Sequence, residues 1–272
     1  MRSDMRKTLS SLALIALTAA SAPAAVLYNS IPTSLPPNLP SDAYEATSTA
    51  EFGGLIQFVG GTRSVSSATV VMSDWALASD YDSTLPGFNQ LLTLTVYSVG
   101  TGNTVGAVIA TDTVNAFIPW RPPSVGCGSY GSGFIASDGK CYNGLASEVT
   151  FNFANFTAPG QVIYGLSFDT TNYGANPTGV PGPYDSLNFG LSVTGPSVGS
   201  NPLPDTAYMN SAYGGFYSDR GAGGVGTFRQ DTGWAPYSGA IEFDGQVPEP
   251  STLALLGAGL TGLVLFRRRV FR

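Results

Sequence analysis

Apolar and polar residues alternate with period two through much of the middle of this chain, which restricts it to strands with one buried face. Val149, Phe151 and Phe153 alternate with Glu148, Thr150 and Asn152. Val162, Tyr164, Leu166 and Phe168 do so with Ile163, Gly165, Ser167 and Asp169, and Leu187, Phe189, Leu191 and Val193 with Asn188, Gly190, Ser192 and Thr194. The same pattern recurs at Leu92, Leu94 and Val96, and at Ile241 and Phe243. Residues 55–59, 66–73 and 105–114 are weaker strand candidates. Helical periodicity is missing from any long stretch between the two ends. Strands with one apolar face bury those faces best as two stacked sheets. The expected fold is therefore all-β, a single jelly-roll-like β-sandwich over residues 43–246, with a closed barrel as the second choice. Residues 25–42, with Pro32, Pro36, Pro37 and Pro40, read as an extended lead-in. The glycine- and proline-rich stretches 120–141 and 172–184 read as surface connections, and 201–226 as a long loop with room for short strands.

The net charge of −6 hides a partition. From residue 25 to 250 the basic residues are Arg63, Arg121, Lys140, Arg220 and Arg229, against seventeen acidic ones, a net of −12. Such a body repels nucleic acid, whose phosphates need cations. The remaining basic residues sit at the ends, where they suit membranes. Arg2, Arg6 and Lys7 precede an apolar run at 12–20, and small residues follow at Ser21, Ala22, Ala24 and Ala25. This is the succession of a secretory signal peptide over residues 1–24, with cleavage expected after Ala24 by signal peptidase following the Sec translocon.

At the other end Val247, Pro248, Glu249 and Pro250 lead into an uncharged run at 251–266, closed by Arg267, Arg268 and Arg269. As a helix that run is about 24 Å long, short of the ~20 apolar residues of an ordinary span, so the membrane crossing is thin. The arginines hold their end in the cytoplasm and leave the body outside. Together these residues, 247–272, resemble the PEP-CTERM sorting signal: a Pro-Glu-Pro motif, a short transmembrane helix and a terminal arginine cluster. The resemblance implies recognition of Pro248, Glu249 and Pro250 by an exosortase, an integral-membrane protease of Gram-negative bacteria. It also implies a precursor anchored in the inner membrane and a mature form at the cell surface or in the extracellular matrix of a biofilm. More loosely, Tyr44, Ala50, Phe52 and Trp75 and their neighbours look like the opening of β-rich secreted proteins that carry this tail.

Catalytic chemistry is thinly supplied. With no histidine, the commonest general base and the usual serine and cysteine triads are missing. Two carboxylates facing across a cleft would make a glycoside hydrolase, but nothing in the sequence brings Glu148 and Glu242 together. Cys127 and Cys141 are expected to pair in an exported protein, two buried thiols being the alternative. No metal site is expected; Asp74, Asp80 and Asp82 are weak calcium candidates, since oxygen-rich loops hold that ion, but ordinary turn chemistry is the stronger explanation of them. Tyr208, Tyr213, Tyr217 and Trp234 are candidate contacts for an extracellular polysaccharide, because exposed rings stack on sugar faces, but rings that pack down and pin a long loop are the stronger reading. The sequence thus points to a non-enzymatic surface or matrix protein, with a carbohydrate-binding adhesion module as the alternative and no organic cofactor.

Overall fold

Burial follows the alternation closely enough to show why the chain forms strands. The computed structural model describes residues 25–44, 49–60, 63–81, 84–127, 133–168, 186–210, 227–246 and 259. In chain order the strands begin with β1 (Ala25–Asn29), β2 (Ser41–Asp42), β3 (Glu51–Gln57), β4 (Arg63–Asp74) and β5 (Gly87–Val99). Then come β6 (Val105–Pro119), β7 (Phe134–Ile135), β8 (Cys141–Tyr142), β9 (Leu145–Ala158) and β10 (Gln161–Ser167). The last are β11 (Leu187–Ser192), β12 (Thr206–Asn210), β13 (Arg229–Thr232), β14 (Ser238–Gly239) and β15 (Ile241–Gln246). Among the described residues no helix is long and apolar enough to cross a membrane. The tail at 247–272, apart from Gly259, and residues 1–24 lie outside the described residues.

The strands build two large antiparallel sheets and a small hairpin. One sheet runs β1-β15-β4-β11-β14, with β9 along the other edge of β4 and β2 paired to β11. The second runs β13-β12-β3-β10-β5-β6, and β7 pairs with β8. Inward side chains of both sheets form one core: Val70, Phe151, Phe189 and Phe243 from the first meet Phe52, Leu94, Val162 and Leu166 from the second. This is a β-sandwich, the first of the two architectures that the alternation allows. The sheets also meet at one side, where the Asn152 amide of β9 donates to Asp112 of β6 at 2.8 Å.

Each weaker strand candidate is longer than the sequence suggested: 55–59 lies mostly in β3, 66–73 in β4 and 105–114 in β6. The long stretch from 201 contains β12, whose middle is buried against β3, and its continuation at 211–226 lies outside the described residues, as does 172–184. Residues 25–42 are built into the sandwich. Val26 and Tyr28 of β1 pair with Asp244 and Phe243 of β15, and Leu27 and Tyr28 are buried. Further on, Ile31, Leu35 and Leu39 cover Val71 and Ala240 on the outer face of the first sheet. Prolines end ladders but do not prevent apolar side chains between them from packing.

The second sheet has its own outer cluster, in which Leu55, Ile163 and Tyr208 are buried with Tyr97, Leu203 and Phe228 against them. Strand β10 is consequently buried on both faces. At its centre Gly53 sits between Gly165 and Tyr208 in the ladder, and a Cβ there would lie 1.7 Å from the Tyr164 carbonyl oxygen, so only glycine fits.

Candidate functional site

The candidate sorting motif follows directly on a strand held from both sides. β15 lies between β1 and β4, and its final pairs are Gly245 with Ala25 and Val65, then Gln246 with Ser64. Ile241 and Phe243 are fully buried, and Phe243 packs edge-on against Phe58 at 5.4 Å and Tyr164 at 6.2 Å. The Ser30 hydroxyl locks the far end of the strand, accepting from the Ile241 amide at 3.0 Å and donating to the Gly239 carbonyl at 2.8 Å. Val247, Pro248, Glu249 and Pro250, with Arg267, Arg268 and Arg269, lie outside the described residues. Proline has no amide hydrogen, so a ladder carried past Gln246 would lose its donors at Pro248 and Pro250.

Arg63, the first residue of β4, is only 2% exposed beside this exit. Its guanidinium donates to the Pro159 carbonyl at 3.2 Å and to the Gly60 carbonyl, and lies 5.7 Å from the centre of the Phe58 ring. Burial lowers its pKa. Pro159 lies in the turn between β9 and β10, and Gly60 in the connection between β3 and β4. One cation thus ties two crossings between the sheets. No sequence signal singles Arg63 out, since a lone arginine reads as a surface residue.

Cys127 and Cys141 form the expected disulfide, with Cα atoms 5.7 Å apart. It anchors the irregular chain between β6 and β9, where Ile135 pairs with Cys141.

The calcium candidates are not shown together. Asp74 is fully buried at the end of β4, one carboxylate oxygen accepting from the Ala76 amide at 3.3 Å. Asp80 belongs to a 3-10 turn, Ala78–Tyr81, and Asp82 lies outside the described residues. Among the described residues no cluster of three metal-ligating side chains forms.

The aromatic candidates divide. Tyr208 has no exposed surface; its hydroxyl donates to the Asn103 carbonyl and its ring lies against Phe228 at 6.0 Å. Its placement as an exposed glycan contact is therefore corrected: a residue beside a glycine-rich stretch is drawn down into the outer cluster of the second sheet. Trp234 is half-buried, edge-on to Phe52 at 4.9 Å, with its indole N–H on Asp231 at 2.7 Å. That contact spends much of its ring on the core. Tyr213 and Tyr217 lie outside the described residues. Close by, Thr194, Ser200, Asn201, Ser238, Pro204 and Pro236 help line an uncharged recess of about 470 Å³.

Glu148 and Glu242 do come near each other, on the outer face of the first sheet. In the ladder Glu148 stands opposite Val71 and Glu242 opposite Thr69, on the two flanks of β4. Burial, then Asp244 and Glu148, raise the Glu242 carboxyl above its ordinary pKa. Asn29 donates to it from β1. The two thus lie across β4 from each other on one sheet face. Two further carboxyls sit deeper than sequence suggested. Burial lifts both Asp42 and Glu51 to about 7, and Glu51 accepts from the Tyr97 hydroxyl at 2.7 Å.

The family model of the PEP-CTERM protein-sorting motif matches residues 246–269. It overlaps β15 by its last residue alone. Neither a curated protein nor a solved structure matches the chain. A β-sandwich that ends, without a spacer, on a matched signal of this kind is an exported protein carrying a PEP-CTERM sorting motif, recognised by an exosortase and processed at the membrane.

Proposed function

We propose that this chain is a non-enzymatic structural protein of the cell surface or extracellular matrix of a Gram-negative bacterium, delivered by its C-terminal motif. The observation that carries this reading is the direct junction of the matched motif to β15, an interior strand of the body. Such a junction suits a body that is released whole. Entry through the Sec translocon and trimming by signal peptidase after Ala24 complete the route. The test replaces Pro248, Glu249 and Pro250 with alanine and follows the tail by fractionation. An unprocessed precursor in the inner membrane is expected, and normal release of the variant would sink the reading.

A second reading has one observation in its favour. The uncharged recess beside Asn201 and Ser238 offers hydroxyl, amide and proline surfaces, which suit a neutral polysaccharide. Calorimetric titration of the mature body with the host's matrix polysaccharide tests it. Binding that Asn201→Ala weakens supports an adhesion module; no heat at millimolar sugar removes it.

A further inference from the structure

The two segments assigned to the membrane leave the sandwich side by side. Ala25, the first residue after the signal-peptide cleavage point, is paired with Gly245, and Gln246 is the last residue before the motif. Neighbouring strands lie ~4.8 Å apart. The signal peptide and the sorting tail therefore depart from one pole, although they stand at opposite ends of the sequence. Two connections complete that pole. Residues 58–60 follow β3, with the Val59 amide donating to the Leu27 carbonyl of β1 at 3.0 Å. Residues 158–161 join β9 to β10, with Gly160 accepting from the Phe58 amide at 3.0 Å. Arg63 fastens both from beneath.

Neutral side chains dominate this pole: those of Ala25, Val26, residues 58–60, residues 158–161, Gly245 and Gln246 carry no charge. The charges nearest to it are the α-ammonium that cleavage leaves on Ala25, Asp244 opposite Val26, and Arg63, which is buried. Val26 and Val59 are each 37% exposed on it. The distance available is short. Four residues, Val247 to Pro250, separate Gln246 from the apolar run, and fully extended they span about 14 Å. An enzyme embedded in the bilayer that grips Pro248 works within two residues of the folded ladder. It cannot reach the motif without meeting the surface from which the motif emerges.

We propose that this pole, centred on Val59 and the β9–β10 turn, is the surface that docks against the membrane-embedded sorting protease. The proposal rests on the sorting reading above. The neutral side chains of residues 58–60 and 158–161 fit an enzyme that presents a low-dielectric, membrane-level face, where each buried unpaired carboxylate would oppose contact. The opposite pole, where Leu85 is 66% exposed, serves as the internal control.

The test uses the full-length precursor in cells with a tagged exosortase. A photo-crosslinking amino acid at position 59 or 161 is expected to capture the tagged protease, and the same group at position 85 is not. In pulse-chase, Val59→Glu should slow loss of the tail at least five-fold, while Leu85→Glu leaves the rate unchanged. A ten-residue Gly/Ser spacer inserted after Gln246 should restore the Val59→Glu rate, which a folding defect would not allow. Gln161→Glu provides a second probe should Val59→Glu accumulate poorly. Crosslinking to lipid only, or no crosslink at either position, overturns the proposal, as does an unchanged rate for both glutamate variants. If the pole variants behave like wild type while alanine at Pro248, Glu249 and Pro250 still blocks processing, docking fails and sorting stands. If that alanine variant is also processed, the sorting reading itself has failed.

Discussion

Strands β9 and β10 are joined by one tight turn yet live in different worlds. Among the described residues β9 pairs only with β4, and its burial alternates: Val149, Phe151 and Phe153 point inward while Glu148, Thr150 and Asn152 meet solvent. β10 lies between β3 and β5 and is buried on both faces, because Leu55, Tyr208, Leu203 and Phe228 cover Ile163 from outside. Both strands alternate in sequence, yet in only one does alternation report exposure. The difference teaches that a period-two pattern identifies a strand and its core face, whereas the state of the other face depends on distant chain.

The sharpest way to break this comparison is at Ile163. Ile163→Ala should cost about 2–5 kcal/mol, as for a core position, because its face is sealed. A loss under 1 kcal/mol in chemical denaturation would show that the outer cluster is loose. Next in size is the irregular chain leading into β9. Replacing both Cys127 and Cys141 with serine should cost about 3 kcal/mol, since the bond closes a loop with a sequence separation of 14. Thermal unfolding in the presence and absence of reductant measures it.

Beside β10, Glu51 offers a pH test. Its ladder partner is Ser167, and burial lifts its folded pKa from 4.5 to about 7. A raised folded pKa means that the folded state holds the proton more tightly, so stability is full below pH 4.5 and falls as pH rises to about 7. Asp42, raised to about 7, acts in the same direction. Glu51→Gln keeps an acceptor for Tyr97 and should flatten this decline by about 1–2 kcal/mol, after allowance for partial solvent screening. An unchanged pH slope would mean that Glu51 is better solvated than its surroundings suggest. The smallest effect belongs to the open face of β9. Thr150→Ala removes one hydroxyl contact to Thr69 at 2.9 Å and should change stability by less than about 0.5 kcal/mol.

Most strands were legible because one wet face leaves an alternating trace. What stayed hidden depended on long-range contacts. β1 lacks alternation, and its role comes from pairing with residues more than two hundred positions away. Tyr208 looked exposed because its acceptor, the Asn103 carbonyl, lies 105 residues back. Arg63 carries a charge, which argues for the surface, and only the two turn carbonyls above it explain its burial. The sorting motif was plain for the opposite reason, being entirely local. That the strand leading into it ends beside Ala25 was not, because that follows from the β1–β15 register.

That register also fixes an order of events. β15 is the last strand of the body and sits between β1 and β4, with Asn29 and Glu242 bonded across 213 residues. In a chain exported N-terminus first, the β1–β15 ladder closes only after residues 241–246 have crossed, although Leu27 and Asn29 of β1 have earlier backbone partners in Val59 and Val198. The motif follows immediately. The first sheet is therefore complete only once the chain up to the residue before the motif is available.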